Sequence, residues 1–399
     1  MLAAAPAGAS SAAAGIPRLH VYDRIPSAPL SNGRQLPLLG LGCASGVRRE
    51  HVLSALRLGY THFDTAQAYR WGYHEDEVGA AIDESGVPRE GLFIQTKVFP
   101  AELGYNSTMR SFNESLARLR SESVDSLLIH KPTCWGDICD RKPEGTWQDS
   151  WRALEELYEA GRARAIGICD ADDRILQQLS QMKHNAHIVQ NWMDPFHQDR
   201  RVRGKCEELG IRYQAYSTLG TQWGAQGHRE NPVMNSPTLQ RIANAHGRTV
   251  AQVVLNWAIG KGVAVIPASK QEARQRSNLA CLDFELAQEE IAEIDALDGT
   301  LERPRAGAQK DSGKLEVKFR AGGDHRTPLK AFWVDQQGEE VPVGELALGG
   351  VLGLSTYHGH RFRFKSGGAP VAEHVVNSGL ARGDGGSYVH VVEGRAAEL

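Results

Sequence analysis

Four side chains of complementary acid–base chemistry recur at comparable places along this chain. Asp64 ends the apolar run YTHFD, Lys97 stands near the end of LFIQTKV, His130 closes VDSLLIH, and Tyr69 follows Asp64 by five residues. A carboxylate, an ammonium, an imidazole and a phenol can together move a proton and steady the charge that its movement leaves behind. Any one of them alone is more often a surface residue or a satisfied structural group. Together they form a site only if the runs are neighbouring parallel strands, whose carboxyl ends open onto one face.

The surrounding elements meet that condition. Eight apolar runs read as strands: LPLLGLG (36–42), YTHFD (60–64), LFIQTKV (92–98), VDSLLIH (124–130), ARAIGI (163–168), AHIVQ (186–190), IRYQAY (211–216) and VAVIP (263–267). Between them lie amphipathic stretches such as NSTMRSFNESLARLR and TWQDSWRALEELYEAG, with apolar residues at helical spacing. Asn106 and Ser107 can start one helix, and Gly161 and Gly210 stand where helices should stop. Eight strand–helix units predict a (β/α)8 barrel. An open doubly wound sheet is the alternative. No G-x-G-x-x-G follows the first strand, which counts against a dinucleotide-binding half of that kind. After Leu297 the pattern changes. GTLERPRAGAQKDSGK (299–314) reads as a linker, and the runs LEVKFRA, LKAFWVD, VLGLSTYHG, HRFRFK, HVVNSG and YVHVVEG predict a small all-β sandwich. The expected division is a tail at 1–20, a barrel at 21–298, a linker at 299–313 and a sandwich at 314–395.

Composition narrows the function classes. With 45 Lys+Arg against 48 Asp+Glu, the chain lacks the basic excess of a nucleic-acid binder. Six cysteines without a C-x-x-C pair make neither a disulfide scaffold nor a usual zinc site. Reduced thiols are expected, with a redox-sensitive bridge between Cys134 and Cys139 as the alternative. No run approaches the length of a membrane helix. The Ala/Pro-rich N-terminus reads as a tail and the location as cytoplasmic, with a plastid or mitochondrial transit segment as the alternative.

FDTAQAYRWGYHEDEVGAAI, IQTKV, LLIHKP, WRALEELYEAGRARAIGI, QAYSTLG and VIPASKQEARQRSN, in that order over about residues 21–298, resemble the aldo-keto reductases. The resemblance implies a barrel that binds a nicotinamide cofactor and reduces aldehydes or ketones to alcohols by hydride transfer. It also implies a catalytic tetrad of Asp64, Tyr69, Lys97 and His130. In that arrangement Lys97 lowers the phenol pKa from its free value of ~10. Asp64 keeps Lys97 charged, and His130 orients the substrate oxygen.

By the same resemblance, Gln190 contacts the carboxamide, Tyr216 stacks on the nicotinamide, and Ser217, Leu219 and Gly220 line the pyrophosphate. Ser269, Arg274 and Asn278 take the adenosine end. Cys169 and Asp170 stand where the family usually has Ser-Asn, and Asp170 can accept but not donate a hydrogen bond. Ala268 replaces the usual lysine, with Lys270 beside it, and Lys131 replaces the usual aromatic after the histidine. Arg274 favours NADPH, with NADH as the alternative. Substrate-pocket candidates are Trp71 and Trp135, with Tyr73, Phe99 and Trp223. Lys131 and His74 suit small or sugar carbonyls. A monomer is expected.

LKAFWVDQQGEEVPVGELALGGVLGLSTYHGHRFRF (329–364) is similar to the von Hippel–Lindau β-domain, over about residues 314–393. This implies a peptide-binding sandwich in which Trp333, Thr356, His360 and Phe362 line the pocket. Phe362 and Val343 depart from the family's tryptophan and tyrosine. His358 and His360 alone fall short of a metal site. The alternative function is a weakened reductase-fold scaffold whose sandwich binds a protein partner.

Overall fold

The eight apolar runs become strands because each is short, bounded by turns and buried on both faces, as parallel strands under helices must be. The computed structural model describes residues 25–134, 139, 141–301, 314–322, 327–334, 340–357, 360–375 and 387–393; the side chains of 314–316, 322, 355–357, 375, 387–391 and 393 are outside that description. Two short strands, β1 (Ser27–Pro29) and β2 (Gln35–Pro37), form an antiparallel hairpin. The parallel sheet follows: β3 (Leu41–Gly42), β4 (His62–Asp64), β5 (Phe93–Val98), β6 (Ser126–Ile129), β7 (Ile166–Cys169), β8 (Ile188–Trp192), β9 (Arg212–Tyr216) and β10 (Ala264–Val265), each paired with its neighbours in chain order. A parallel bridge between Leu39 and Val265 joins the two ends, with Val265 N–H donating to Leu38 O at 2.8 Å and Gly40 N–H to Val265 O at 2.9 Å. The fold is the expected (β/α)8 barrel. The single run 36–42 is divided, its first residues pairing in the hairpin and its last in the barrel.

Inside the barrel the layers differ in chemistry. Leu30 and Leu36 of the hairpin region pack with Phe93, Leu128, Ile188 and Ala264, which closes the amino-terminal end with apolar side chains. Above them sit His62, Gln95, Gln190 and Gln214, all buried. Gln95 donates to Gln214 Oε1 at 2.7 Å, and Gln190 donates to the same oxygen at 2.9 Å. The His62 ring meets Phe93 edge-on, and its Nδ1 lies 3.1 Å from Pro37 O. Burial pushes the His62 pKa down to about 4, with Asp64 opposing the shift. A histidine that is neutral when folded but near ~6.5 when unfolded stabilises the fold fully above that value and loses the contribution as pH falls toward 4. Going from pH 7 to 5 should therefore cost the native chain roughly 2 kcal/mol more than it costs His62→Gln. Urea unfolding at both pH values checks this, and an equal drop in both proteins would show the ring is not the cause.

The C-terminal strands are β11 (Lys314–Gly322), β12 (Leu329–Val334), β13 (Glu340–Leu346), β14 (Val351–Tyr357), β15 (Arg361–Ser366), β16 (Ala369–Val375) and β17 (Ser387–Glu393). They form two sheets, β14-β11-β17 and β13-β12-β15-β16, antiparallel except for the β11–β17 pair. Val317, Phe319, Leu329, Ala331, Leu346, Phe362, Phe364 and Val392 make their core. On the outer face Arg363 bonds Glu340 and Glu373, each at 2.8 Å, and Lys365 bonds Glu340 at 2.5 Å. β13 escapes the sequence pattern because it contains Pro342 and Gly344 and is largely exposed; it is an edge strand, where a proline is tolerated. The chain divides into two compact units, the first ending at Leu301 and the second following it, except that residues 223–229 group with the second.

Among the described residues no helix is long and apolar enough to cross a membrane. Cys134 and Cys139 are joined as a disulfide, with Cα atoms 6.0 Å apart, rather than standing as two thiols. Their separation of five residues brings the Cα atoms within bridging range.

Candidate active site

Asp64 closes β4 opposite Gln95 of β5, and Lys97 lies two residues further along β5 on the same, inward face. The two side chains are essentially inaccessible, at 1% and 0% exposure. Lys97 Nζ donates to both Asp64 oxygens at 2.7 Å and to Thr65 O at 3.0 Å. Asp64 Oδ1 also accepts from Gln95 Nε2 at 2.6 Å and Gln190 Nε2 at 3.0 Å. Burial works to lower the Lys97 pKa, but Asp64 beside it more than compensates and holds the ammonium above its ordinary value. Every polar atom of the pair is hydrogen-bonded, the condition under which a buried ion pair is tolerated.

His130 follows β6 and is buried. Burial first, then the Lys97 and Lys131 charges, hold its pKa well below the ordinary histidine value, so the imidazole is neutral. Its Nδ1 is buried without a hydrogen-bond partner. The phenol that joins this group is Tyr73. Lys97 Nζ lies 5.0 Å from the Tyr73 ring centre, and the Tyr73 and His130 rings are 5.7 Å apart. Burial pushes the Tyr73 pKa up to about 12, against the lowering effect of Lys97. The phenol is not acidified in the free protein; Lys97 only limits what burial does.

Tyr69 lies elsewhere. Its side chain is 42% exposed, its hydroxyl donates to Asp76 Oδ1 at 3.3 Å, and the Arg118 guanidinium stands 5.7 Å from its ring. The cause is local. Residues Tyr69–Trp71 make a turn of 3-10 helix that ends on Gly72 at φ +77°. A Cβ at Gly72 would meet Gly46 N at 2.6 Å, so only glycine fits that reversal. The turn sends Tyr69 outward and returns the chain with Tyr73 facing the barrel mouth. Trp71 joins the mouth as well, its ring 4.8 Å from His130 and 5.5 Å from Phe99. Trp135 lies outside the described residues, and Trp223 is buried at 1% exposure.

The rim residues follow the strand ends. Cys169 ends β7, and its Sγ lies 3.7 Å from Gln190 Oε1. Asp170 comes next at φ +52° and is bound by Lys131. Tyr216 ends β9, and its hydroxyl donates to Asp170 Oδ1 at 3.0 Å. Ser217 has φ +53° and accepts from Thr221 at 3.0 Å; Leu219 O accepts from Asn231 at 2.8 Å, and Gly220 has φ +81°. Ser269 turns the chain through bonds with Gln271, its hydroxyl donating to Gln271 O and accepting from Gln271 N–H, both at 3.2 Å. Arg274 is exposed on the helix Glu272–Leu279, Lys270 is exposed nearby, and Asn278, one turn on from Arg274, is 6% exposed. Among the described residues no group of three or more His, Cys, Asp or Glu could hold a metal.

The model of the aldo/keto reductase family matches residues 47–299. Glyoxal reductase of Bacillus subtilis is 35% identical over 276 residues, covering 67% of this chain and 91% of that protein. The chain belongs to the aldo/keto reductase family. Morphine 6-dehydrogenase of Pseudomonas putida is likewise 35% identical, over 67% of this chain and 90% of its own length. Among solved structures, an aldo/keto reductase from Brucella melitensis is 32% identical with a TM-score of 0.60, covering 69% of this chain and all of that one. A Bombyx mori aldo-keto reductase in complex with NADP is 28% identical with a TM-score of 0.64, covering 72% and 97%.

Within this aldo/keto reductase Asp64, Lys97 and His130 meet at the mouth; Tyr73 was expected there only as a pocket residue, and Gln95 and Gln214 were not expected at all. Counting forward from Asp64 selects Tyr69, whereas counting back from the helix Glu75–Ser85 selects Tyr73. The second count was the available signal. In the C-terminal unit, Phe362 is 3% exposed, packs against Phe319 and stands directly opposite Trp333 in the β12–β15 ladder. Trp333 and His360 are half-buried with rings 5.5 Å apart. The Thr356 side chain is outside the described set. The likeness to the von Hippel–Lindau β-domain is matched by no family model.

Proposed function

We propose that this chain is an NADPH-dependent carbonyl reductase of small, polar aldehydes and ketones, with Tyr73 as the proton donor. The observation that carries the reading is the buried Lys97–Asp64 pair placed beside a phenol and a neutral imidazole. The rim's donors suit a dinucleotide: an aromatic face at Tyr216, hydroxyls at Ser217 and Ser269, and cations at Lys270 and Arg274. When bound, the reduced nicotinamide supplies the hydride. Tyr73 Oη gives its proton to the carbonyl oxygen, and Lys97 offsets the negative charge left on the phenolate. Asp64 keeps Lys97 charged and fixed. The neutral His130 ring orients the substrate oxygen by hydrogen bonding. Trp71 and Phe99 wall the mouth and keep water from the reacting carbon.

Loss of NADPH absorbance with a panel of small aldehydes, aldoses and polycyclic ketones tests this. Turnover of the first two is expected; reduction of polycyclic ketones alone would overturn the substrate class, and no turnover of any would favour the scaffold reading. For the C-terminal unit we propose recognition of a peptide, supported by the Trp333 indole nitrogen, which is buried without a hydrogen-bond partner.

A further inference from the structure

Lys131 follows His130 past the end of β6, and Asp170 follows the end of β7 in a left-handed conformation that few non-glycine residues adopt. Their side chains form an ion pair at 18% and 31% exposure. Tyr216 is tied into the same group. Its hydroxyl donates to Asp170 Oδ1 at 3.0 Å, and Lys131 Nζ lies 5.4 Å from its ring centre. One carboxylate, its counter-ion and one aromatic face therefore make a linked platform across the ends of three strands. The nearest other charges toward the barrel interior, Asp64 and Lys97, already cancel each other. Among the described residues these two ion pairs each cancel, and Lys131 is the cation that offsets Asp170.

A nicotinamide ring is cationic when oxidised and neutral when reduced. A lone carboxylate at its binding face would favour the oxidised form; an adjacent ammonium removes that bias. We propose that the Lys131–Asp170 pair sets the preference between the reduced and oxidised dinucleotide, with Lys131 as a positioning and charge-balancing residue. This rests on the reading of Tyr216 and Asp170 as a nicotinamide site.

The test is a set of dissociation constants for NADPH and NADP+, measured by fluorescence quenching on the full chain. Lys131→Met should shift the affinity ratio toward NADP+ by on the order of tenfold, as expected for one uncompensated charge a few ångströms away in partly screened surroundings. Asp170→Asn should shift it the opposite way. The double variant should return close to the native ratio, and Lys131→Arg should keep it. A loosened structure would weaken both dinucleotides together and leave the ratio alone, so single variants within twofold of native, or shifted in the same direction, would overturn the proposal. If the native chain binds neither dinucleotide, the site reading fails, and this inference with it.

Discussion

Tyr73→Phe is expected to lower kcat for aldehyde reduction by about 10²–10⁴, the loss that follows removal of a positioned general acid. Tyr69→Phe should stay within about threefold of native, because its hydroxyl serves only a surface bond to Asp76. The contrast is sharp because both side chains are phenols four positions apart, and the two substitutions remove the same atom. KM should move little in either case, since the phenol acts on the transition state rather than on ground-state binding. With its pKa pushed up to about 12, Tyr73 stays protonated through neutral pH and can donate. Equal rates in native and Tyr73→Phe proteins would remove this residue from the reaction. A collapse in Tyr69→Phe alone would restore the phenol at position 69.

The second large effect concerns stability. Lys97→Met strips three hydrogen bonds from a fully buried ammonium and leaves Asp64 charged at 1% exposure, with only amide donors from Gln95 and Gln190. Breaking one side of a buried pair costs about 3–5 kcal/mol. For a domain of this size that is a fall in Tm of roughly 10 °C. Adding Asp64→Asn removes the stranded charge, so the double variant should melt above Lys97→Met alone. Activity should be lost in both. A thermal melt that is unchanged in Lys97→Met would show that the ion pair contributes nothing to the folded barrel.

The parts of this molecule that could be read from sequence are those where one physical signal dominates. A strand buried on both faces must be apolar along its length, so runs such as LFIQTKV and VDSLLIH announce themselves, and the ionisable residues at their ends follow. The role of Tyr73 was obscured because the turn at Tyr69–Trp71 and the positive φ of Gly72 decide which of two phenols faces inward, and the two spacing counts, from Asp64 and from the following helix, select different residues. Gln95 and Gln214 were hidden for a different reason. A glutamine inside a strand has no motif, and its value to Asp64 exists only once four strands have curled together.

The apolar seal formed by Leu30, Leu36 and Phe93 beneath the glutamines has a consequence for proton traffic. Beneath that layer the side chains of the described residues are apolar and offer no polar chain for a proton. On the proposed mechanism, each turnover's hydrogen ion is then expected to reach the spent phenolate by the same opening that admits the carbonyl compound. Recharging of the acid and departure of the alcohol share one doorway, and a bulky product that lingers there would delay both.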